Sequence, residues 1–190
     1  MTLSPVQVER VDAAVTVLTL SRPERRNALS IALMRELIAA LDSCAADMSQ
    51  RVVILRGMGP VFCAGLDLHE AADPGKAEAS AELVAKLLVT LDASRLVTIA
   101  AVHGVVAAGG AGVMSACDLA VAAEDTRIGY PEVRRGLVAG LVMPLLLRHV
   151  GHHHARELLL TGELIDAPRA HAIGLVNRIV PAKQLDEASV

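Results

Sequence analysis

Two glycine-rich turns are the parts of this sequence whose residue types and spacing best suit chemistry. The stretch HGVVAAGGAGVMSACDLA, residues 103–120, packs four glycines into nine residues and carries no charged side chain before Asp118. A second turn, MGPVFCAG, occupies residues 58–65. Each turn follows a strand-like segment and precedes a helix-like one. Glycine permits close backbone approach, and a helix N-terminus presents free N–H groups, so both turns are predicted to aim such groups at one ligand.

Glu132, in the segment YPEVRRG, is the acidic residue that stands out beside these turns. One interpretation is an acid/base catalyst in an apolar environment, where desolvation raises the pKa of the carboxyl group. The other is an ordinary acidic residue in the first turn after a proline, where the helix dipole favours negative charge. The residues alone leave both interpretations open.

Other motifs are weaker. The segment GAGVMS, residues 110–115, resembles a dinucleotide-binding fingerprint, although Ser115 replaces its third small residue, so an NAD site remains an alternative. No G-x-S-x-G or P-loop sequence is present. Three consecutive histidines, residues 152–154, cannot all face one ion from a helix, so a solvent-facing helix start and no metal site are predicted. His103 is interpreted as a structural histidine.

Composition narrows the class of protein. The chain has 190 residues, a length typical of one domain, predicted here to span residues 1–190. A net charge of −3, one Phe, one Tyr and no Trp argue against nucleic acid as a partner. Three scattered cysteines and an N-terminus without a secretory pattern favour the cytoplasm. Residues 96–117 carry no charge over 22 positions, but their glycines favour a buried strand and helix over a membrane span, so no membrane partner is expected.

The hydrophobic pattern predicts an α/β fold. Strands are predicted at 6–11, 14–20, 51–57, 97–102, 119–123 and 175–180. Helices are predicted from the Ser30 cap to about Cys44, over 111–117, over 141–150 and over 155–162. A short helix is predicted to begin at about Leu66, and a separate helix is predicted to end at about Asp92. A last helix is predicted to begin after the Asp166 cap and to end at Gly174. Residues 71–80 are predicted to be a loop.

Four segments, taken together, resemble the crotonase superfamily, the enoyl-CoA hydratase/isomerase family. They are LSRPERRNAL, VVILRGMGPVFCAGLDL, the long run from IAAVHGVV to YPEVRRGLV, and ARELLLTGELIDAPRAHAIGLVNRIVP. They occur in the family's order and spacing between about Val8 and Pro181. The resemblance implies a crotonase-like spiral of ββα units that binds acyl-CoA thioesters. It also implies a homotrimer or hexamer.

The resemblance further implies a shared chemistry, the stabilisation of a thioester enolate by two backbone N–H groups. By motif match these belong to Leu66, in CAGLD, and Gly109, in AAGGAG, while Glu132 matches an acid/base glutamate of the family. No cofactor beyond the CoA thioester substrate is implied.

Four further positions are expected to bind the CoA part of the substrate. Ala64 is expected to line the CoA path and Gly110 to permit close approach. Arg25 and Arg26 match a region near the CoA phosphates, with an ordinary charged turn as the alternative.

The sequence also departs from the family pattern. Many relatives carry a second glutamate where this chain has Gly112, and some carry a further acid where it has Gly140. The chain ends soon after Pro181, so the C-terminal helices that pack family trimers are expected to be missing, and oligomeric state stays open. A catalytically impaired acyl-CoA binder or truncated remnant is therefore the alternative to an active enzyme.

Overall fold

Strands and helices alternate along the chain, in a computed structural model that describes residues 4–189. The strands are β1 Val6–Arg10, β2 Val15–Leu20, β3 Val52–Gly57, β4 Val97–Val102, β5 Val105–Ala107, β6 Leu119–Ala123, β7 Arg127–Gly129, β8 Leu164–Asp166 and β9 Arg178–Val180. The helices are α1 Ile31–Ala46, α2 Leu68–Ala71, α3 Ala77–Asp92, α4 Gly109–Ala116, α5 Met143–Thr161, α6 Ala167–Ala172 and α7 Leu185–Ser189. The α/β prediction is confirmed.

A six-stranded sheet forms the centre of the fold, in the order β1-β2-β3-β4-β6-β9. Only β1 runs antiparallel to its neighbour, and the other pairs are parallel. Strands β3 and β4 are adjacent, with Ile54 opposite Ile99. Because parallel neighbours end at the same edge of a sheet, the two glycine-rich turns that follow β3 and β4 leave the sheet side by side.

A second sheet has three strands in the order β5-β7-β8, and its strand β5 lies within the region predicted as one glycine turn. Val105–Ala107 pairs in parallel with Arg127–Gly129, and Cys63 forms an isolated bridge with Val106. The prediction of an uninterrupted turn over 103–110 is therefore wrong. Three residues among glycines carry too little periodicity to mark a strand, and their partner lies about twenty residues away.

Aliphatic side chains from both faces of the large sheet form the core. Helix α1 begins as predicted, since the Ser30 side chain accepts a hydrogen bond from the Leu33 amide at 3.2 Å. The predicted helices 141–150 and 155–162 form one helix, α5, with a break at Gly151, where φ is +67°. The last predicted strand is shorter than expected, and α3 begins inside the predicted loop 71–80.

Residues 96–117 contain strand β4 of the large sheet, the short strand β5 of the second sheet and helix α4. In the part of the chain that the structure covers, residues 4–189, no helix is both long enough and apolar enough to cross a bilayer.

Candidate active site

The two glycine turns lie in direct contact. A Cβ atom added to Gly65 would lie 2.9 Å from the Ala108 Cβ and 3.3 Å from the Gly109 nitrogen. Gly65 has a φ of +99°, a conformation that other residues rarely adopt. Ala108 has a φ of +50° despite its side chain, and it is held by a 3.0 Å hydrogen bond from its amide to the Gly129 carbonyl. Strained backbone of this kind is common at functional sites.

The amides of Leu66 and Gly109 are free at this contact. On one turn, the Leu29 amide donates to the Gly65 carbonyl at 2.8 Å and the Asp67 amide donates to the Leu29 carbonyl at 3.1 Å. In a parallel bridge of this form the intervening residue, Leu66, points its own N–H to the opposite side. On the other turn, Gly109 is the first residue of α4 and has no acceptor within its helix. Among residues 4–189, neither amide donates a backbone hydrogen bond outside regular elements.

Glu132 faces the same cavity from a 3₁₀ helix, Pro131–Arg135. The residue before this helix, Tyr130, is fully buried, and its hydroxyl lies 2.8 Å from the hydroxyl of Ser115 on α4. The helix that carries the Gly109 amide therefore also anchors the segment that carries Glu132. The helix ends at Gly136, where φ is +69°.

The carboxyl group of Glu132 is incompletely paired. Its Oε2 atom is buried and, within residues 4–189, has no hydrogen-bond partner. Burial raises the pKa of this carboxyl group, an effect opposed in part by the residue's own backbone N–H and by the positive charge of Arg135. A buried acceptor without a donor is unusual in folded proteins and suggests an oxygen atom reserved for a ligand.

A cavity of about 90 Å³ joins these groups. Its wall contains the two amide-bearing residues, Leu66 and Gly109, together with Ala64, Glu132 and Arg135. The other lining residues are apolar, so Glu132 is the acidic residue of this wall. Two N–H donors and one carboxylate, held around a small apolar space, could stabilise an oxyanion while a proton moves on a neighbouring atom.

The residues expected to bind CoA fall in different places. Ala64 lines the cavity, and its amide donates to the Arg26 carbonyl at 3.1 Å, which brings the Arg25–Arg26 turn to the cavity rim. Both arginine side chains are exposed, and within residues 4–189 neither guanidinium forms an ion pair. Their contact with CoA stays a prediction.

Gly110 lies behind the cavity instead of lining it. A Cβ at this position would lie 2.3 Å from the Cys63 carbonyl oxygen, so the glycine permits α4 to pack on the neighbouring turn. The close approach that the structure shows at Gly110 is to the backbone of Cys63, and a contact of Gly110 with CoA stays a prediction.

Val142 occupies the space beside Gly112. A Cβ at position 112 would lie 2.3 Å from the Val142 Cγ1 and 3.6 Å from the Leu88 Cδ2. The position therefore has no room for a longer side chain in this packing. By contrast, nothing lies within 4 Å of a Cβ added to Gly140, so that position is open.

The weaker motifs have structural roles. Gly110 and Gly112 of the GAGVMS segment contact protein side chains and backbone, and Ser115 binds Tyr130, so the dinucleotide interpretation receives no support. The Nε2 of His103 donates a 2.8 Å hydrogen bond to the Gly59 carbonyl, consistent with a structural histidine. Histidines 152–154 lie on a helix surface, and among residues 4–189 no three potential ligands are grouped for a metal ion.

Sequence reasoning missed several contributors. Arg135 and Leu137 line the cavity. In the sequence, however, they resemble an ordinary charged turn and an apolar segment. Arg22 forms an ion pair with Asp67 at 3.1 Å, across 45 positions of sequence. Only Asp67 carried a usable signal, since an aspartate just before a helix is a common N-cap, and its side chain accepts from the His69 amide at 3.2 Å.

Comparison with known proteins places this geometry in a family. The profile of the enoyl-CoA hydratase/isomerase family matches residues 10–190. The 2,3-dehydroadipyl-CoA hydratase of Escherichia coli is 37% identical over 169 residues, which cover 88% of this chain and 66% of that protein.

Solved structures agree with that match. The crystal structure of enoyl-CoA hydratase from Bacillus anthracis superposes with a TM-score of 0.93 at 32% identity, covering 97% of this chain and 73% of that one. The enoyl-CoA hydratase of Mycobacterium smegmatis superposes at 0.92 with 37% identity, covering 97% and 73%. The expected crotonase-like fold is confirmed, and the chain belongs to the enoyl-CoA hydratase/isomerase family of enzymes.

Proposed function

We propose that this protein acts on enoyl-CoA thioesters by forming an enolate at the thioester carbonyl. In the proposed step, written for a 3-enoyl-CoA, the Glu132 carboxylate removes a proton from C2. The C2–H electron pair moves onto the carbonyl, and the resulting enolate oxygen accepts hydrogen bonds from the Leu66 and Gly109 amides. The reaction needs no cofactor other than the CoA carried by the substrate.

One observation carries this proposal. Among the described residues 4–189, the buried Oε2 of Glu132 lacks a donor while the Leu66 and Gly109 amides lack acceptors, and all three residues line one cavity of about 90 Å³. A thioester in this space satisfies all three at once, because its carbonyl oxygen accepts both N–H groups and its acidic C2–H meets the carboxylate. Losing one such donor costs enzymes roughly 100- to 1,000-fold in rate, which is enough to select this geometry.

A single acid fits the movement of a proton more readily than the addition of water. To move a double bond from C3–C4 to C2–C3, one carboxylate removes a proton from C2 and returns it at C4. Hydration also requires a water molecule to be oriented and deprotonated. With Val142 filling the space beside Gly112, Glu132 would perform every proton transfer in either reaction. We therefore propose hydratase/isomerase activity as one joint assignment.

Turnover of two substrates tests the proposal. Crotonyl-CoA reports hydration by loss of the conjugated thioester absorbance, and a 3-enoyl-CoA reports isomerisation by gain of it. We expect turnover of at least one substrate and a large loss in Glu132→Gln. Equal rates in that variant would refute Glu132 as the base.

A catalytically impaired acyl-CoA binder is the second candidate, and the blocked position at Gly112 favours it. The same assay separates the two candidates. If both CoA thioesters bind in calorimetry and neither is converted, the protein is a binder and not an enzyme.

Cellular location and assembly complete the proposal. Cys44, Cys63 and Cys117 are all free and buried, which supports a reducing cytoplasm. An apolar groove of about 310 Å³, lined by Val133, Val138 and Leu160 among others, supports association into a homotrimer or hexamer. Light scattering at micromolar concentration tests the assembly, and a monomer would contradict it.

A further inference from the structure

A largely buried ion pair joins Arg22 to Asp67, the residue that follows Leu66. Arg22 donates from Nη2 to the Asp67 Oδ2 at 3.1 Å and from Nη1 to the Ala28 carbonyl at 2.7 Å. The two side chains are only 21% and 11% exposed. Because one guanidinium binds both partners, it fixes the distance between the segment before Leu29 and the segment after Leu66.

The same two segments set the direction of the Leu66 N–H. Leu29 is hydrogen-bonded to Gly65 on one side of Leu66 and to Asp67 on the other. Any shift of Leu29 or Asp67 therefore rotates the peptide between Gly65 and Leu66. Asp67 also caps α2, so it cannot turn away without losing the bond from the His69 amide.

Two further contacts anchor the segment that contains Leu29. The fully buried Asn27 accepts a hydrogen bond from the Arg22 amide at 2.9 Å and donates to the Met58 and Val61 carbonyls at 2.9 Å each. The Ile31 amide donates to Glu70 Oε2 at 2.7 Å. The segment from Asn27 to Ile31 is thus held at both ends, and the Arg22–Asp67 ion pair links it to the residue next to the Leu66 amide.

We propose that Arg22, acting through Asp67 and Ala28, is a positioning residue for the oxyanion-binding amide of Leu66. Arg22 does not touch the reacting atoms. Its effect falls on the transition state, in which the carbonyl oxygen carries the most charge and the direction of the donor matters most. This inference rests on the proposed function.

The test compares Arg22→Met with Arg10→Met. Arg10 is a matched control, because it also pairs with an aspartate at 3.1 Å and donates to a carbonyl at 2.7 Å, but at an exposed site that does not line the cavity. For Arg22→Met we expect kcat to fall roughly tenfold or more, short of the loss of a whole donor, with KM within about twofold. Arg22→Lys keeps the positive charge but cannot bind Asp67 and the Ala28 carbonyl through two nitrogens at once, so it should recover only part of that loss. Arg10→Met should keep the wild-type kcat.

A spectroscopic measurement distinguishes positioning from stability. Hydrogen bonds to a thioester lower its C=O stretching frequency, so infrared spectra of a bound, ¹³C-labelled acyl-CoA report the oxyanion contacts directly. We expect Arg22→Met to shift this band back toward its position in water, and Arg10→Met to leave it in place. If Arg22→Met does not fold, Arg22→Lys and Asp67→Asn carry the same comparison.

The outcomes separate this inference from the proposed function. Wild-type turnover with an unchanged kcat in folded Arg22→Met overturns the inference alone. A higher KM with unchanged kcat also overturns it, since Arg22 would then contact CoA directly. A wild-type protein that neither converts an acyl-CoA nor lowers its carbonyl frequency overturns both.

Discussion

The buried carboxyl group of Glu132 opposes folding, so its isosteric replacement, Glu132→Gln, is expected to stabilise the protein while it abolishes most activity. In the folded protein, burial removes water from the carboxylate, and within residues 4–189 no donor replaces it at Oε2. Leaving a buried polar group unpaired costs about 1–3 kcal/mol. We take the lower end, about 1 kcal/mol, because Gln keeps a polar atom in the same place.

That gain corresponds to a rise in Tm of about 2–4 °C for a chain of this size. The activity should fall by about 100- to 10,000-fold, the range for a lost general base. Differential scanning calorimetry and the two-substrate assay, run on the same preparations, measure both quantities. Glu163→Gln is the matched control, because Glu163 is exposed and lies outside the cavity, and it should change neither.

The stabilisation should depend on pH in a defined direction. Burial raises the pKa of Glu132 in the folded state above its unfolded value. In the interval between the two values the folded state binds more protons, so wild-type stability falls as pH rises. The advantage of Glu132→Gln should therefore be absent below the unfolded pKa, grow through the interval and stay constant above the folded pKa. An active Glu132→Gln with an unchanged Tm would refute both the base and its buried environment.

Three further predictions concern the charge beside Glu132, the packing around Gly112 and the arginines expected to bind CoA. Arg135→Met removes a positive charge that lowers the pKa of Glu132, so the acidic limb of the pH–rate profile should move to higher pH, and an unmoved limb would exclude that interaction. Gly112→Ala should destabilise the protein by about 1–3 kcal/mol, because the added methyl group overpacks against Val142. In a denaturation double-mutant cycle, Val142→Ala should relieve about 1 kcal/mol or more of that cost. Additive effects of the two substitutions would contradict the contact. Replacing Arg25 and Arg26 by Ala should weaken CoA binding in calorimetry about tenfold or more at constant kcat, and unchanged affinity would leave them as an ordinary charged turn.

Local signals in the sequence were sufficient for much of the fold. The strand over 97–102 and the caps at Ser30 and Asp166 follow from short patterns that each element carries within itself. The pairing of two glycine turns also follows, because successive parallel strands end at one edge of a sheet. Strand β5 did not follow, since its identity depends on a partner from a later segment.

The site was predictable only in part, for the same physical reason. The two glycine turns could be placed by residue type and spacing, whereas Glu132 was placed by its match to the motif of the family. Three features of the site depend on tertiary structure. Val142 packs on Gly112, and Arg22 pairs with Asp67, across long stretches of sequence. The burial of the Glu132 Oε2 without a donor, among residues 4–189, likewise depends on how the chain folds around it. A single sequence contains no signal for such pairs, although they decide how charged the base is and how the amide is held.

The central claim is that Glu132 and the amides of Leu66 and Gly109 act together to form an enolate. Exchange of the C2 hydrogens of a 3-enoyl-CoA measures the removal of a proton from C2 directly. A 3-enoyl-CoA is incubated with the protein in D₂O and its C2 signal is followed by NMR. We predict that wild-type protein exchanges the C2 hydrogens for deuterium, and that Glu132→Gln reduces the exchange rate at least 100-fold. Exchange that persists at the wild-type rate in Glu132→Gln, or bound substrate whose C2 hydrogens never exchange and which is never isomerised, would contradict the account.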